Sequence, residues 1–141
     1  MTRPSRDTRQ PRRRFAAAVS LAVVVALGLL SRRFPLPGLL AEHTGDALYA
    51  TAVYCALGFC MPSCRPAPLA FAAFGLSAAV EVSQLLTFGW LRDLRSTDAG
   101  ALLLGQGFQA ADLVAYAAGA LLAAAFEHAL RPVRRRQRQH F

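Results

Sequence analysis

The chain has 141 residues, of which 55% are apolar and only 17% are charged, and its formal net charge is +8. The chain has sixteen arginines and no lysine, and eleven of the arginines lie in the first fourteen and last eleven residues. A soluble domain usually carries about 25% charged residues, spread along its length. The composition excludes a disordered polymer and a disulfide-stapled secreted domain and argues against a soluble enzyme. It leaves a small all-α membrane protein.

Four apolar segments are long enough, or nearly so, to cross a bilayer as helices. The first segment directly follows a basic start, as the apolar part of a cleaved signal peptide would. It is followed by two arginines and not by a cleavage site of small residues, so we interpret it as a retained anchor. The predicted membrane domain is residues 15–130, with spans over 15–31, 47–64, 67–91 and 109–130.

Polar stretches separate and flank these spans. We predict a disordered basic tail over residues 1–14 and a second basic tail over residues 131–141. Prolines and glycines break the connection over residues 31–46. The polar region over residues 92–108 contains one short apolar stretch, Ala101–Leu104, which is too short to cross and which we expect at the interface or dipping back into the bilayer.

The arginines predict the orientation, because cytoplasmic segments of membrane proteins carry the excess of positive charge. Four spans place twelve arginines inside and four outside. We therefore predict a bundle of four transmembrane helices in the bacterial inner membrane, with both termini cytoplasmic. The arginine clusters abut apolar spans, so we expect the bilayer and its anionic lipid headgroups as partners, and no nucleic acid.

Small residues predict how the spans pack, because close approach of backbones drives helix association in lipid. The last span carries four of them at a strict spacing of four residues. We predict that this stripe forms a packing seam: Ala111, Ala115, Gly119 and Ala123.

Glu81 is the most informative residue of the predicted third span. It lies about ten residues, roughly 15 Å, inside the outer end of that span. A carboxylate at such depth usually faces the bundle interior with a partner. Gln84 lies on the same helix face, and Asp112 and Tyr116 share a face of the last span. We expect antiparallel packing to bring the two polar faces together near the outer side.

The adjoining loops offer further charged residues, namely Asp46, Arg92, Arg95 and Asp98. Two interpretations of the polar residues remain open. One is a buried network that sets how the helices pack. The other is an outward-facing pocket in which Arg92 or Arg95, oriented by Glu81 and Asp112, binds a polar or anionic headgroup.

Chemistry-bearing residues of other kinds are scarce. We expect no histidine in the cluster, no Ser–His pair and no metal set, and we place His43 at an interface instead. The three cysteines, Cys55, Cys60 and Cys64, match no zinc pattern and are odd in number. We therefore predict no metal, no cofactor and no enzymatic activity.

A set of short motifs resembles one family over roughly residues 20–125. The pieces are Leu29–Pro35, Gly45–Leu48, Glu81–Leu85, Trp90-Leu91, Arg95, Gly100–Gly105, Gly107-Phe108, Asp112-Leu113, Ala115-Tyr116 and Gly119. Together they resemble the domain-of-unknown-function 2809 family of bacterial integral membrane proteins.

More distantly, the chain is similar to VanZ-like membrane proteins, which are associated with resistance to a glycopeptide antibiotic. That resemblance rests on Glu81, Gln84, Arg95, Asp98, Asp112 and Gly119. Tyr116 departs from it, since an asparagine stands there in that family. The resemblance implies a role in the cell envelope.

We therefore expect a non-enzymatic envelope protein that binds a lipid headgroup or another polar envelope molecule. A small transporter or channel component is the alternative, and it would need a polar path to the cytoplasmic side. An intramembrane enzyme is a third hypothesis.

Overall fold

The computed structural model describes residues 6–34, 37–86, 88–104 and 108–130. These residues form helices and no strand, which confirms the predicted all-α class for this part of the chain. The predicted tail over residues 131–141 lies outside the described residues, as do residues 1–5. The helices are α1 (Arg6–Arg33), α2 (Leu39–Cys60), α3 (Pro66–Ser83), α4 (Gly89–Arg95), α5 (Asp98–Leu104) and α6 (Ala110–Leu130).

Three of the described helices are long and apolar enough to cross a membrane. They are the part of α1 from Pro11 to Arg33, α3 and α6. Large apolar side chains point away from the protein along these helices. Phe71 and Val114, for example, are 78% and 72% exposed. An apolar outer surface of this extent fits lipid rather than water, so the chain has the character of a membrane protein.

The second helix, α2, is displaced toward the N-terminus relative to the predicted span over residues 47–64. It begins after Gly38, whose positive φ of 67° is a conformation that glycine adopts without steric cost. It ends at Cys60, because a helix rarely continues through the residue before a proline, here Pro62. Its early turns contain His43 and Asp46, so α2 is not among the helices that are apolar enough to cross by composition.

The third helix is shorter than the predicted span over residues 67–91. Pro66 occupies its first turn, where the missing N–H costs nothing, and it ends at Ser83. The chain then turns and enters the separate short helix α4. Glu81 therefore lies in the last turn of α3, and its predicted position ten residues inside the helix was wrong.

The first helix begins earlier than the predicted span. Residues 6–14, which we predicted to be disordered, belong to α1, so that prediction was wrong for them. Arginine is a good helix former. The Arg13 side chain also contacts the opposite end of the chain, where its Nη2 lies 2.6 Å from Oε1 of Glu127.

The long helices pack through small residues. Helix α1 packs on α2, α2 packs against α3 and α6, and α3 packs against α6. At the α2–α6 contact, a β-carbon added to Gly119 would lie 2.1 Å from the carbonyl oxygen of Ala47. In the predicted seam, Ala115 and Gly119 are buried and Ala123 packs on the core, while Ala111 is exposed.

Polar contacts distinguish the two ends of the helix assembly. Arg13, at the start of α1, contacts Glu127, near the end of α6, and the carbonyl oxygen of Cys64, between α2 and α3. The end of α3 meets the start of α6 at the other end, where Glu81 accepts a hydrogen bond from the Gln109 amide. The neighbouring helices α2, α3 and α6 therefore alternate in direction.

Candidate functional site

Glu81 is the centre of the polar contacts at the α3–α6 end. Its side chain is 1% exposed. Its Oε1 accepts a hydrogen bond of 2.7 Å from the backbone N–H of Gln109. Its Oε2 accepts from the Tyr116 hydroxyl at 3.0 Å and from the Gln84 amide at 3.2 Å. A buried carboxylate is tolerated only when such donors satisfy it, and all three donors are neutral.

Helix α5 joins this network through its carbonyl groups. The Gln84 amide nitrogen also donates to the Leu104 carbonyl at 3.0 Å. The Tyr49 hydroxyl donates to the Leu103 carbonyl at 2.9 Å. The rings of Tyr49 and Tyr116 are 6.0 Å apart between centroids and tilted by 53°, within the range of favourable aromatic pairs. The two hydrogen bonds therefore tie the end of α5 to Tyr49 in the middle of α2 and to Gln84 at the end of α3.

A second group of polar side chains, which we call the His–Asp–Asp group, consists of His43 and Asp46 from α2 and Asp112 from α6. Each of the three offers one atom within 4.8 Å of the other two. His43 Nδ1 lies 3.4 Å from Asp112 Oδ1. This histidine nitrogen is buried and makes no hydrogen bond within the described residues. The arrangement thus brings one aromatic nitrogen and two carboxylates together.

Negative charge accumulates at this end of the protein. The side chains of Asp46, Asp112 and Glu81 are near enough to one another for their charges to interact, and His43 lies beside the two aspartates. Across the described residues, neither salt bridge joins an arginine to any of these three carboxylates. We call Asp46, Glu81 and Asp112 the carboxylate cluster.

Arg95, predicted to pair with Glu81 or Asp112, binds elsewhere. Its Nη2 donates to the Ser83 carbonyl at 2.7 Å, and its Nη1 donates to the Leu86 carbonyl at 3.3 Å. The guanidinium therefore binds carbonyl groups at and just beyond the end of α3, where the Ser83 carbonyl also accepts from the Leu86 N–H.

Only some of the other predicted site residues lie near the carboxylate cluster. Arg92 and Asp98 are exposed, on α4 and at the start of α5. The structure brings together Glu81, Gln84 and Tyr116, and it places Asp46 beside Asp112. It does not bring Arg92, Arg95 or Asp98 into contact with the carboxylate cluster. The described residues therefore do not form the predicted pairing of arginines with these carboxylates.

His43 is the residue that sequence reasoning missed. We expected no histidine among the polar residues, and that expectation was wrong, because His43 lies against Asp112. The sequence holds one signal for it: His43 and Asp46 are three residues apart, which places them on one face of α2. Their partner is 66 or more residues away in the chain, so no local pattern could identify it.

The opposite end of the protein carries a smaller polar group. Glu127 accepts hydrogen bonds from Arg13 and from the hydroxyl of Tyr54, which is only 4% exposed. Arg13 came from the segment expected to be a disordered tail, and we expected its arginines only to orient the chain and to contact anionic lipid. This contact joins α1, α2 and α6 near the beginning and the end of the described chain.

Comparison with known proteins gives one family match. Residues 35–120 match the model of a family described as "Protein of unknown function (DUF2809)". The match includes α2, α3, both short helices and the first half of α6, and hence the whole carboxylate cluster. No solved structure matches the chain.

Proposed function

This chain belongs to the DUF2809 family of proteins of unknown function. From that premise we propose that it is a non-enzymatic protein that crosses the bacterial inner membrane four times. It binds the polar headgroup of an envelope lipid at the carboxylate cluster. The observation that carries the proposal is the convergence of three acidic side chains from three helices, Asp46, Glu81 and Asp112, with which no arginine of the described residues forms a salt bridge.

Helix α2 is the fourth span in this proposal. It packs against α1, α3 and α6, so a bilayer crossed by those helices is crossed by α2 as well. Neighbouring helices shield its polar residues from lipid, which allows a less apolar sequence than a lipid-facing helix needs.

Two independent observations support cytoplasmic termini. The ion pair between Arg13 and Glu127 joins the N-terminal part of α1 to the last turn of α6, which supports having both ends of the described chain on one side. Twelve of sixteen arginines belong to that side under four spans, as expected for the cytoplasmic face. We propose that those arginines contact anionic lipid headgroups and not nucleic acid.

Reporter fusions test this orientation. Green fluorescent protein fused to either terminus should fluoresce, and alkaline phosphatase inserted after Pro37 should be active.

The charge of the site selects the chemistry of the headgroup. Two neighbouring carboxylates, Asp46 and Asp112, with the charge of Glu81 acting on both, favour a ligand that brings positive charge or hydroxyl donors, because a buried charge needs a partner. A headgroup that carries an ammonium group, such as ethanolamine, meets that requirement better than a bare phosphate. Arg95 is already bound to the carbonyls of α3, so it is not the anchor that an anionic ligand would need.

Accessibility assigns different tasks to the three acids. The Asp112 side chain is 12% exposed and Asp46 is half-buried, so these two carboxylates form the accessible edge of the site. Glu81 is enclosed and bonded to three donors. We assign ligand contact to Asp46 and Asp112 and the positioning of Tyr116 and α6 to Glu81.

Native mass spectrometry of the protein extracted from inner membranes, in the presence of EDTA, tests this proposal. We expect co-purified phosphatidylethanolamine with the wild-type chain and less of it with Asp46→Asn and Asp112→Asn. Asp93→Asn and Asp98→Asn are matched controls, because they make the same chemical change at exposed positions. Equal lipid content in all variants would refute the proposal.

A transport path, the alternative function, is not what the helix packing favours. The seam between α2 and α6 lies between the two polar ends, and there the Gly119 and Ala47 backbones are in contact. The Thr51 hydroxyl in the same seam donates to the carbonyls of Ala47 and Gly119. A polar path along this seam would require the helices to separate.

A further inference from the structure

We propose that His43, Asp46 and Asp112 bind a divalent transition-metal ion of the Zn²⁺ type. The proposal goes beyond headgroup binding and does not depend on it, although the ion would use the same two aspartates, Asp46 and Asp112, and would therefore compete with the headgroup. It rests on the positions of the ligand atoms, on the buried Nδ1 of His43 beside Asp112, and on the finding that no arginine of the described residues forms a salt bridge with these acids.

The spacing of the ligand atoms is close to that of a metal site. The three atoms lie within 4.8 Å of one another, and His43 Nδ1 is 3.4 Å from Asp112 Oδ1. Tetrahedral zinc with bonds of about 2.0–2.1 Å holds its ligand atoms about 3.4 Å apart. The histidine–aspartate pair already has that separation, and the Asp46 carboxylate lies within 4.8 Å of both atoms.

The histidine points a ligand atom at the carboxylates. His43 Nδ1 is buried and has no hydrogen-bond partner within the described residues. A proton on this nitrogen would serve only the contact with Asp112, whereas a metal ion between the three ligand atoms would serve the nitrogen and both carboxylates at once. The His43 side chain is 30% exposed, which leaves an entry path for the ion.

Charge balance favours a divalent ion. Asp46 and Asp112 lie close to Glu81, whose charge acts on both of them. None of the salt bridges formed by the described arginines involves these acids. A single 2+ ion offsets two of the three charges, and a bound metal is often the largest local charge in such a site.

The donor set indicates which ions fit. Ca²⁺ and Mg²⁺ prefer ligand shells of oxygen atoms. Zn²⁺ and its neighbours in the first transition row accept imidazole nitrogen together with carboxylate oxygen. Three protein ligands leave a fourth position open. Because the ligands come from α2 and α6, the ion would also join these two helices.

Calorimetric titration of the full-length protein with Zn²⁺ alone tests the proposal. The protein is purified in lipid-free detergent, stripped with a chelator, and carries Cys60→Ser and Cys64→Ser so that thiols do not compete. We expect one ion per chain. We expect His43→Ala and Asp112→Asn to weaken binding by at least the factor of about 10–100 that loss of a supporting ligand contact costs.

His128→Ala is the matched control, because His128 is an exposed histidine at the far end of α6, and it should leave the affinity unchanged. Unchanged affinity in His43→Ala, loss of binding in His128→Ala, or no binding at all would each overturn the proposal. The lipid assay is performed in EDTA and the metal assay without lipid, so failure of one proposal is separate from failure of the other.

A spectroscopic measurement on the protein with His43 and both aspartates intact guards against variants that fail to fold. With Co²⁺ in place of Zn²⁺, we expect visible d–d bands of a four- or five-coordinate nitrogen–oxygen site without a thiolate charge-transfer band. The weak spectrum of hydrated Co²⁺ alone would contradict the site. His43→Gln, which keeps a polar side chain of similar size, is the variant to use if His43→Ala is not monodisperse.

Discussion

The Tyr116 hydroxyl donates a hydrogen bond of 3.0 Å to Oε2 of Glu81, joining the last turn of α3 to the second turn of α6. Both residues are almost fully enclosed, at 5% and 1% exposure. A tyrosine rather than an arginine thus stabilises the most deeply buried carboxylate of the described chain. The consequence is that this part of the protein depends on neutral donors for its stability.

Removing that hydroxyl should destabilise the helix packing. Tyr116→Phe leaves Glu81 with one donor fewer and should lower the free energy of unfolding by about 0.5–2 kcal/mol, the range of hydrogen bonds between membrane helices. Glu81→Gln should have a similar effect, and the double variant should cost less than the sum. Unfolding in SDS, with Tyr49→Phe as the control, measures the coupling. Strictly additive effects would show that the two residues act independently.

A methyl group at position 119 should force α2 and α6 apart. The β-carbon of Gly119→Ala would stand 2.1 Å from the Ala47 carbonyl oxygen, and overpacking of this kind costs about 1–3 kcal/mol. Gly75→Ala is the matched control, because a β-carbon there meets nothing within 4 Å and alanine is the better helix former. Thermal unfolding in detergent should separate the two variants. Equal midpoints would contradict the close α2–α6 contact.

The cap on α3 should depend on Arg95 and not on Arg92. Arg95→Ala releases the Ser83 and Leu86 carbonyls and should speed hydrogen exchange between residues 83 and 97, with a stability loss of about 1–2 kcal/mol. Arg95→Lys should restore part of the protection, since it supplies a positive charge without the planar fork. Arg92→Ala, at an exposed position, should exchange like the wild type. Mass spectrometry of exchanged peptides decides between these outcomes.

The contact between Arg13 and Glu127 should tolerate exchange of the two charges better than loss of either. Arg13→Glu places two acids together and Glu127→Arg places two bases together, while the double variant restores an ion pair. We expect the ion pair to contribute about 0.5–1 kcal/mol to the free energy of unfolding, because both side chains are roughly one-third exposed. The melting temperature in detergent, compared at low and high salt, measures this. Absence of rescue would argue against a direct contact between the helix ends.

The sequence determined the helical class, the approximate positions of the long helices and which acids were candidates for a polar cluster. Apolar runs locate such helices because every side of a lipid-facing helix must be apolar. Pro62 and Pro66 mark the end of α2 and the start of α3, because proline lacks the N–H that a helix interior requires. Glu81 stood out because an unpaired carboxylate in an apolar run is costly.

Only the tertiary structure decided where α3 ends and which polar groups meet. The apolar sequence continues past Ser83, and the helix stops there although no local breaker marks the site, with Arg95 from α4 bound to its last carbonyls. The contact of His43 with Asp112 likewise joins residues far apart in the chain. Such pairings depend on how whole helices lie against one another, which local patterns do not encode, because each polar side chain has several chemically equivalent partners until packing selects one.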